Sequence, residues 1–436
     1  MRKNFLKTFL IPILSLIFLA PVNSLLAAGN LLIKNAIVMP VTAPPIYGAD
    51  VLIINGIIKQ IGPNLTPPPG TRVINASGKY LIPGIIDTHT HLGLSGTNEG
   101  TDAITPEVDM ADVINPDDPA IFTALTGGVT MVHTMHGSAN VIGGRNVVLK
   151  LKWGQPSEKM VVKEAWPTLK FALGENVKQS NRTLLPGRPQ RYPATRMGAN
   201  AIIRRELLRA REYMAAWERY EKLKNSKNPP RGLLPPKKDL RLETLADLLR
   251  GKLYARCHAY VATEMVEFLR LAREFGFKIA AFEHAWEAYK ITDELLEAGV
   301  GISVFIDSWA YKMEAAEGIA YNAAYCTQRG ILVSINSDSS ERVRRLFNEA
   351  GKAVKYGLTP DEALKMITIN AAKQLGVDHL VGSIEVGKQA DLALFENHPM
   401  SAYTRCEMTI IEGDVYFDRQ QILKEREEAA ARKGGY

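Results

Sequence analysis

Five side chains able to bind a divalent cation stand at intervals along this 436-residue chain: His89, His91, His258, His284 and Asp338. His89 and His91 end the apolar run Lys79-Tyr-Leu-Ile-Pro-Gly-Ile-Ile-Asp-Thr-His-Thr-His91. Residues two apart on a strand project to one side, so both rings can reach one ion without distorting the backbone. A His-X-His pair alone more often marks ordinary histidines than a site, and each of the later residues alone is more often structural. Their shared position is what counts. His258 ends Lys252-Leu-Tyr-Ala-Arg-Cys-His258, His284 ends Gly276-Phe-Lys-Ile-Ala-Ala-Phe-Glu-His284, and Asp338 ends Val333-Ser-Ile-Asn-Ser-Asp338. Neutral imidazoles and a carboxylate suit Zn²⁺ and related divalent ions, in a site that leaves one position for water. A bound cation lowers the pKa of that water to about 7, giving an activated hydroxide, and polarises a substrate carbonyl. Asp338 can then act as general base and acid, taking a proton and passing it to the leaving group. The implied chemistry is metal-dependent hydrolysis of an amide-like C–N bond.

The elements that must position these residues read as two kinds. Gly276–His284, Val300–Phe305 and Ile331–Asn336 are short apolar strands, the first followed by the helical run Ala288–Gly299 and the last by Glu341–Tyr356. Thr359-Pro-Asp-Glu362 opens a helix with a good N-cap. Some 300 residues of this alternation favour a (β/α)8 TIM-type barrel, whose strands deliver functional side chains at their C-terminal ends. The β-type runs Leu31–Met39, Asp50–Gly56 and Arg72–Asn75 reappear in kind at Gly387–Phe395 and Met408–Phe417, predicting a small β-sandwich domain built from both chain ends. The expected division is therefore 29–81 for the first part of that domain, 82–383 for the barrel, 384–420 for the second part and 421–436 for a polar tail. Met197–Lys227 reads as a long helix within an insertion over 176–250, on a barrel loop.

Arg2, Lys3 and Lys7 precede the apolar run Phe9–Ala20 and the small residues around Ser24–Gly29, the pattern of a cleavable signal peptide over 1–28. Export to the periplasm or medium follows, with no stable membrane anchor after cleavage. The formal charge of +7 includes those three cations and no acids before Ala20, so the remainder is only mildly basic. The excess of Arg and Lys between Lys178 and Arg241 reads as a solvated helical face and not as a nucleic-acid surface. Cys257, Cys326 and Cys406 are too few and too scattered for a disulfide framework. The partner expected is a small-molecule substrate; a homo-oligomer is compatible with the chain.

At this point the chain resembles the amidohydrolase superfamily, in its exported imidazolonepropionase-like and prolidase-like branch. The resemblance runs over nearly everything after the leader and rests on Pro83-Gly-Ile-Ile-Asp-Thr-His-Thr-His91, the barrel ligands in order, Asn370-Ala-Ala-Lys-Gln-Leu-Gly376 and Gly382-Ser-Ile-Glu-Val-Gly-Lys-Gln-Ala-Asp-Leu392. It implies His89 and His91 on one metal, His258 and His284 as further ligands, Asp338 as ligand and proton shuttle, and a split β-domain. It also implies a bridging group from the fourth strand, a carboxylated lysine or a glutamate. Lys170 and Glu175 both qualify, but they are an odd number apart and cannot both face the axis of a regular strand. Glu175, nearer the strand's end, is preferred. The choice bears on whether one or two ions bind, and in the one-ion case His284 is free to work on the substrate.

Other candidates lie nearby. The loop Met135–Arg145 carries glycines that could bring backbone N–H groups to a substrate carboxylate, with Asn140 and Arg145 as side-chain contacts, or it is simply a tight structural loop. Asp307-Ser-Trp309 ends another strand and is placed to line the pocket. His133 and His136 fall outside the ligand pattern, and Asp87 reads as an acceptor that orients the histidine strand. Two further readings stay open: a deaminase of the same fold, and a catalytically silent periplasmic binding protein.

Overall fold

The computed structural model describes residues 29–178, 191–308 and 310–433. The leader expected over 1–28, and Trp309, lie outside them. In chain order the strands are β1 Leu31–Val38, β2 Ile46–Ile54, β3 Ile57–Gly62, β4 Arg72–Asn75, β5 Tyr80–Pro83, β6 Ile85–Thr90, β7 Val129–Thr134, β8 Ile142–Lys150, β9 Thr168–Ala172, β10 Tyr254–Ala259, β11 Lys278–His284, β12 Gly301–Val304, β13 Val333–Ile335, β14 Leu392–Phe395, β15 Cys406–Ile411 and β16 Asp414–Asp418.

The two chain ends meet in one sheet, ordered β16-β15-β14-β5-β1-β2-β3 with β4 beside β1. Antiparallel pairing of β14 with β5 joins the halves. The expected sandwich of two sheets is here a single hydrogen-bonded sheet folded about its own core of Ile33, Val51, Ile58, Leu81, Leu392 and Ile410. Its cause is visible in β1, which pairs with β4 over Leu31–Lys34 and with β5 over Ile37–Val38. Asn35, with φ of 58°, breaks the register against β2 between these stretches and lets one strand serve two partners.

The second sheet runs in the order β6 to β13 and curls into a barrel. Its strands are buried on both faces, which is why they read as apolar runs and not as alternating ones. The seam between β13 and β6 is closed by side chains and by the segment just after β13: Asp338 N–H donates to the His89 carbonyl at 3.0 Å, and the Thr88 and Ser334 hydroxyls meet at 3.0 Å. One strand departs from eight β/α repeats. β8 runs antiparallel to both β7 and β9. Only the short loop 135–141 links β7 to β8, and such a loop can join antiparallel neighbours but cannot make the crossover that parallel ones require.

Between the sheets, Pro83-Gly84 is a tight passage. A β-carbon on Gly84 would come within 2.1 Å of Thr130 Oγ1 on β7, so only glycine fits. Helices Ala262–Phe275 and Thr292–Ala298 follow β10 and β11, each ended by a left-handed glycine, Gly276 and Gly299. Thr359 and Glu362 form a reciprocal capping box at the start of helix Pro360–Met366. The insertion holds helices Arg196–Lys224 and Leu240–Leu249, tied to the segment after β6 by Arg241 ion pairs to Asp102 and Glu107, both at 2.7 Å. The polar C-terminal segment forms an exposed helix, Arg419–Lys433. Among the described residues no helix is long and apolar enough to cross a membrane.

Candidate metal centre

All strands of the barrel except β8 point the same way, so their C-terminal ends converge at one mouth. His89 projects inward from β6, and His91 follows just past its end. His91 Nε2 lies 3.0 Å from Asp338 Oδ1 and His89 Nε2 3.6 Å from the same oxygen. The ligand atoms of these three residues all lie within 4.8 Å of one another, a cluster able to hold a metal ion. His91 Nδ1 lies 2.8 Å from the Met135 carbonyl, a contact that orients the ring with Nε2 toward Asp338.

His284 joins through an unusual backbone. Glu283, one residue earlier, is buried in the barrel interior beside His89, so a regular strand would turn His284 to the outside. Instead His284 and Ala285 take φ of 70° and 41°, and the imidazole swings in. Its Nε2 sits 3.8 Å from Asp338 Oδ2, and its ring centroid lies 4.9 Å from that of His89 and 4.7 Å from that of His258. Asp338 is left-handed too, at φ of 45°. Such strained positions gather where geometry serves a site.

From β9 it is Lys170 that arrives, fully buried, with Nζ 3.1 Å from His89 Nε2. Glu175 lies beyond the end of β9, half-buried, with its backbone N–H on Glu314 Oε2 at 2.8 Å. The substrate-contact candidates are engaged elsewhere. Asn140 donates to the Glu99 carbonyl and the Thr105 hydroxyl, both at 2.7 Å; Arg145 turns to Thr244 and Asp247 on the insertion; Asp307 pairs with Lys352 at 3.0 Å. His133 is satisfied by the Thr88 carbonyl and the Thr168 hydroxyl, and His136 by the Gly137 carbonyl and the Glu99 N–H. Asp87 accepts from the His89 and Ser337 backbone N–H groups at 3.1 and 3.2 Å, holding the first and last strands together. A cavity of about 570 Å³ opens at the opposite end of the barrel, among Tyr254, Lys278 and Gly301. Strand direction, and not cavity size, locates this site.

A model of the amidohydrolase family matches residues 294–416. Amidohydrolase tasK of Hapsidospora irregularis is 29% identical over 86% of this chain, which spans 40% of that protein's length. An imidazolonepropionase of Brevibacillus brevis is 27% identical over 74% of this chain and 76% of its own. The solved structure of an amidohydrolase from Thermotoga maritima is 35% identical and superposes with a TM-score of 0.81, covering 89% of this chain and 100% of that one. The chain belongs to the amidohydrolase family.

In this amidohydrolase the donor set fits a divalent cation. His258 Nε2 and both ring nitrogens of His284 are buried with no hydrogen-bond partner among the described residues. Burial holds His89, His258 and His284 well below the usual histidine range, in the neutral form that ligates. Burial raises the Asp338 carboxyl, but His89, His91 and His284 around it outweigh that and hold it well below the carboxylate range. Burial draws Lys170 down to about 8, with Glu283 and Asp338 opposing. The His91 and Asp338 side chains keep 23% and 28% exposure while His89 and His284 keep none, so among these four the centre is open at that edge alone.

The sequence reading overlooked one pair. Arg256 and Glu283 are both fully buried, and Arg256 Nε–H donates to Glu283 Oε1 at 2.6 Å. The available signal was charge inside two apolar strand runs, just ahead of His258 and His284.

Proposed function

We propose that this amidohydrolase is a metal-dependent enzyme of the imidazolonepropionase-like and prolidase-like branch, cleaving a C–N bond in a small carbonyl-bearing substrate such as an amide, a cyclic amide or a peptide-like compound. The observation that carries the reading is the convergence of His89, His91, Lys170, His258, His284 and Asp338 from five strand ends on one small volume, with buried imidazole nitrogens that have no hydrogen-bond partner among the described residues. These residues would hold one or two divalent ions, Zn²⁺ being the natural fit to nitrogen and carboxylate donors. When bound, the metal supplies Lewis acidity, polarising the scissile carbonyl and acidifying water. Lys170, and not Glu175, is the fourth-strand group in this proposal.

Asp338 is the residue suited to move the proton. It is ionised, partly open to the mouth, and set between His91 and His284, so it can accept from the attacking water and donate to the departing nitrogen. His284 is enclosed by Phe305, stacked at 4.6 Å, and by Tyr260 at 5.3 Å. These rings keep bulk water from the inner side of the centre and leave the His91 edge for the substrate.

The test is metal analysis of the purified protein with a panel of N-acyl amino acids, dipeptides, cyclic amides and aminopurines. Stoichiometric metal and amide cleavage are expected. Ammonia release from the aminopurines alone would establish a deaminase instead. Absence of bound metal, with no turnover after Zn²⁺, Mn²⁺ or Co²⁺ is added, would overturn the enzyme reading and leave a binding protein.

A further inference from the structure

We infer that the buried Arg256–Glu283 pair is a positioning device that fixes the ring tautomer of His89, an inference that rests on the metal-centre reading above. Each of the three guanidinium nitrogens of Arg256 is engaged: Nε–H to Glu283 Oε1 at 2.6 Å, one terminal nitrogen to the Gln374 carbonyl at 3.2 Å, the other to the Thr88 carbonyl at 3.1 Å. It therefore grips the backbone immediately before His89 and, on its other side, the carboxylate that faces the His89 ring. Glu283 Oε2 has no hydrogen bond among the described residues and lies 3.4 Å from His89 Nδ1, which likewise has none. A carboxylate oxygen can only accept, so the proton belongs on Nδ1. The lone pair then sits on Nε2, the nitrogen that faces Lys170 at 3.1 Å and Asp338 at 3.6 Å.

The energetics point to a purpose beyond packing. Taking two charges out of water is costly before they pair, and apolar side chains of similar volume often serve a core as well or better. A barrel interior filled by Ile, Val and Leu would hold these strands together without that cost. What apolar residues cannot do is accept from Nδ1 and hold the carbonyl of Thr88. Fixing a ligating imidazole through its far nitrogen strengthens metal binding, and outer partners of this kind are commonly worth ~10–100-fold in affinity.

Glu283→Gln separates positioning from packing. The shape is nearly unchanged, but Arg256 demands the amide oxygen, which turns the amide NH₂ toward His89. That donor needs an acceptor at Nδ1 and drives the ring proton to Nε2, the ligating atom. The expected result is a folded protein whose affinity for Co²⁺, followed by its visible absorption in titration, falls about 10–100-fold, while the ¹⁵N spectrum of histidine-labelled, metal-free protein shows His89 moved from the Nδ1–H to the Nε2–H form. Unchanged Co²⁺ affinity in the folded variant would overturn the inference. If Glu283→Gln does not fold, the wild-type spectrum decides alone: the His89 signal, assigned with His89→Gln, must report Nδ1–H, and an Nε2–H ring would refute the device. Wild-type protein that binds no Co²⁺ would refute the metal centre itself, a separate failure.

Discussion

Lys170 stands level with Arg256 on the neighbouring strand, and parallel partners share a face, so the lysine is carried to the axis along with the rest of the buried polar cluster. Glu175 comes only after the strand has ended and the chain has turned at Gly174, whose φ is 79°. Lys170→Gln should therefore lower kcat/KM by about 100-fold or more, whereas Glu175→Gln should stay within about threefold, measured on whichever amide the panel identifies. The inverse pattern would return the role to Glu175. Parity could be read from the sequence, but the strand's last residue could not, and that one boundary decided between the two. His136 gives a second expectation at this scale. Burial lowers it from 6.5 to about 4, and both nitrogens are engaged as in neutral imidazole, one donating to the Gly137 carbonyl and one accepting from the Glu99 N–H. A folded-state pKa below the unfolded one means the unfolded chain takes up the proton first as pH falls. Stability from this residue is intact above pH 6.5 and declines between 6.5 and about 4, by up to about 3 kcal/mol. Urea unfolding of metal-free His136→Gln should show a correspondingly flatter pH dependence than wild type over that interval; parallel curves would remove His136 as the cause.

Elements with strong periodicity or a clear cap were legible in advance, because each rests on local chemistry: the N-cap at Thr359, and the apolar strands that carry His258 and His284 at or next to their ends. The reversed direction of β8 was not, since an apolar run carries no sign of its direction. Nor was the single folded sheet, which depends on β1 changing partners at Asn35. Arg256 and Glu283 escaped because two strands had to be set in register before their charges could be seen to meet. The passage from β5 to β6 offers the sharpest test at this scale. Gly84→Ala places a methyl against Thr130 Oγ1, Cγ2 and Cβ at 2.1, 2.4 and 2.8 Å, so β6 or β7 must shift. Overpacking of this kind costs about 1–3 kcal/mol. Thr130→Ala removes the two closer atoms, so combining it with Gly84→Ala should recover part of the loss, and a double-mutant cycle in denaturant should give a coupling of about 1 kcal/mol. Strict additivity would mean that Gly84 is needed for some reason other than this contact.

The candidate ligands hang on β6, β9, β10, β11 and β13 or on the residues just after them, so one bound ion would tie together most of the barrel's circumference. It would also span the seam, where β13 meets β6 through Asp338 N–H and the Thr88–Ser334 hydroxyl contact. The centre holds three enclosed imidazoles and a lysine near one another, with Asp338 as the carboxylate common to His89, His91 and His284. Metal binding relieves that arrangement only in the folded chain, because the unfolded chain scatters the ligands over 250 residues. Saturation with Zn²⁺ at 100 times its Kd should accordingly stabilise the protein by about 2.7 kcal/mol, visible as a melting temperature that climbs with metal concentration and falls back with chelator. His91→Asn is the informative control. His91 is the most exposed imidazole of the set and packs least into the barrel, so its loss should leave the metal-free melting temperature within about 2 °C of wild type while abolishing most of the metal-dependent rise. Because the tie crosses the seam, amide exchange should slow on metal addition in β6 and β13 together, more than in the end sheet formed by β1–β5 and β14–β16. A rise in melting temperature that survives in His91→Asn, or protection confined to one side of the seam, would mean that the ion binds somewhere other than among these strand ends.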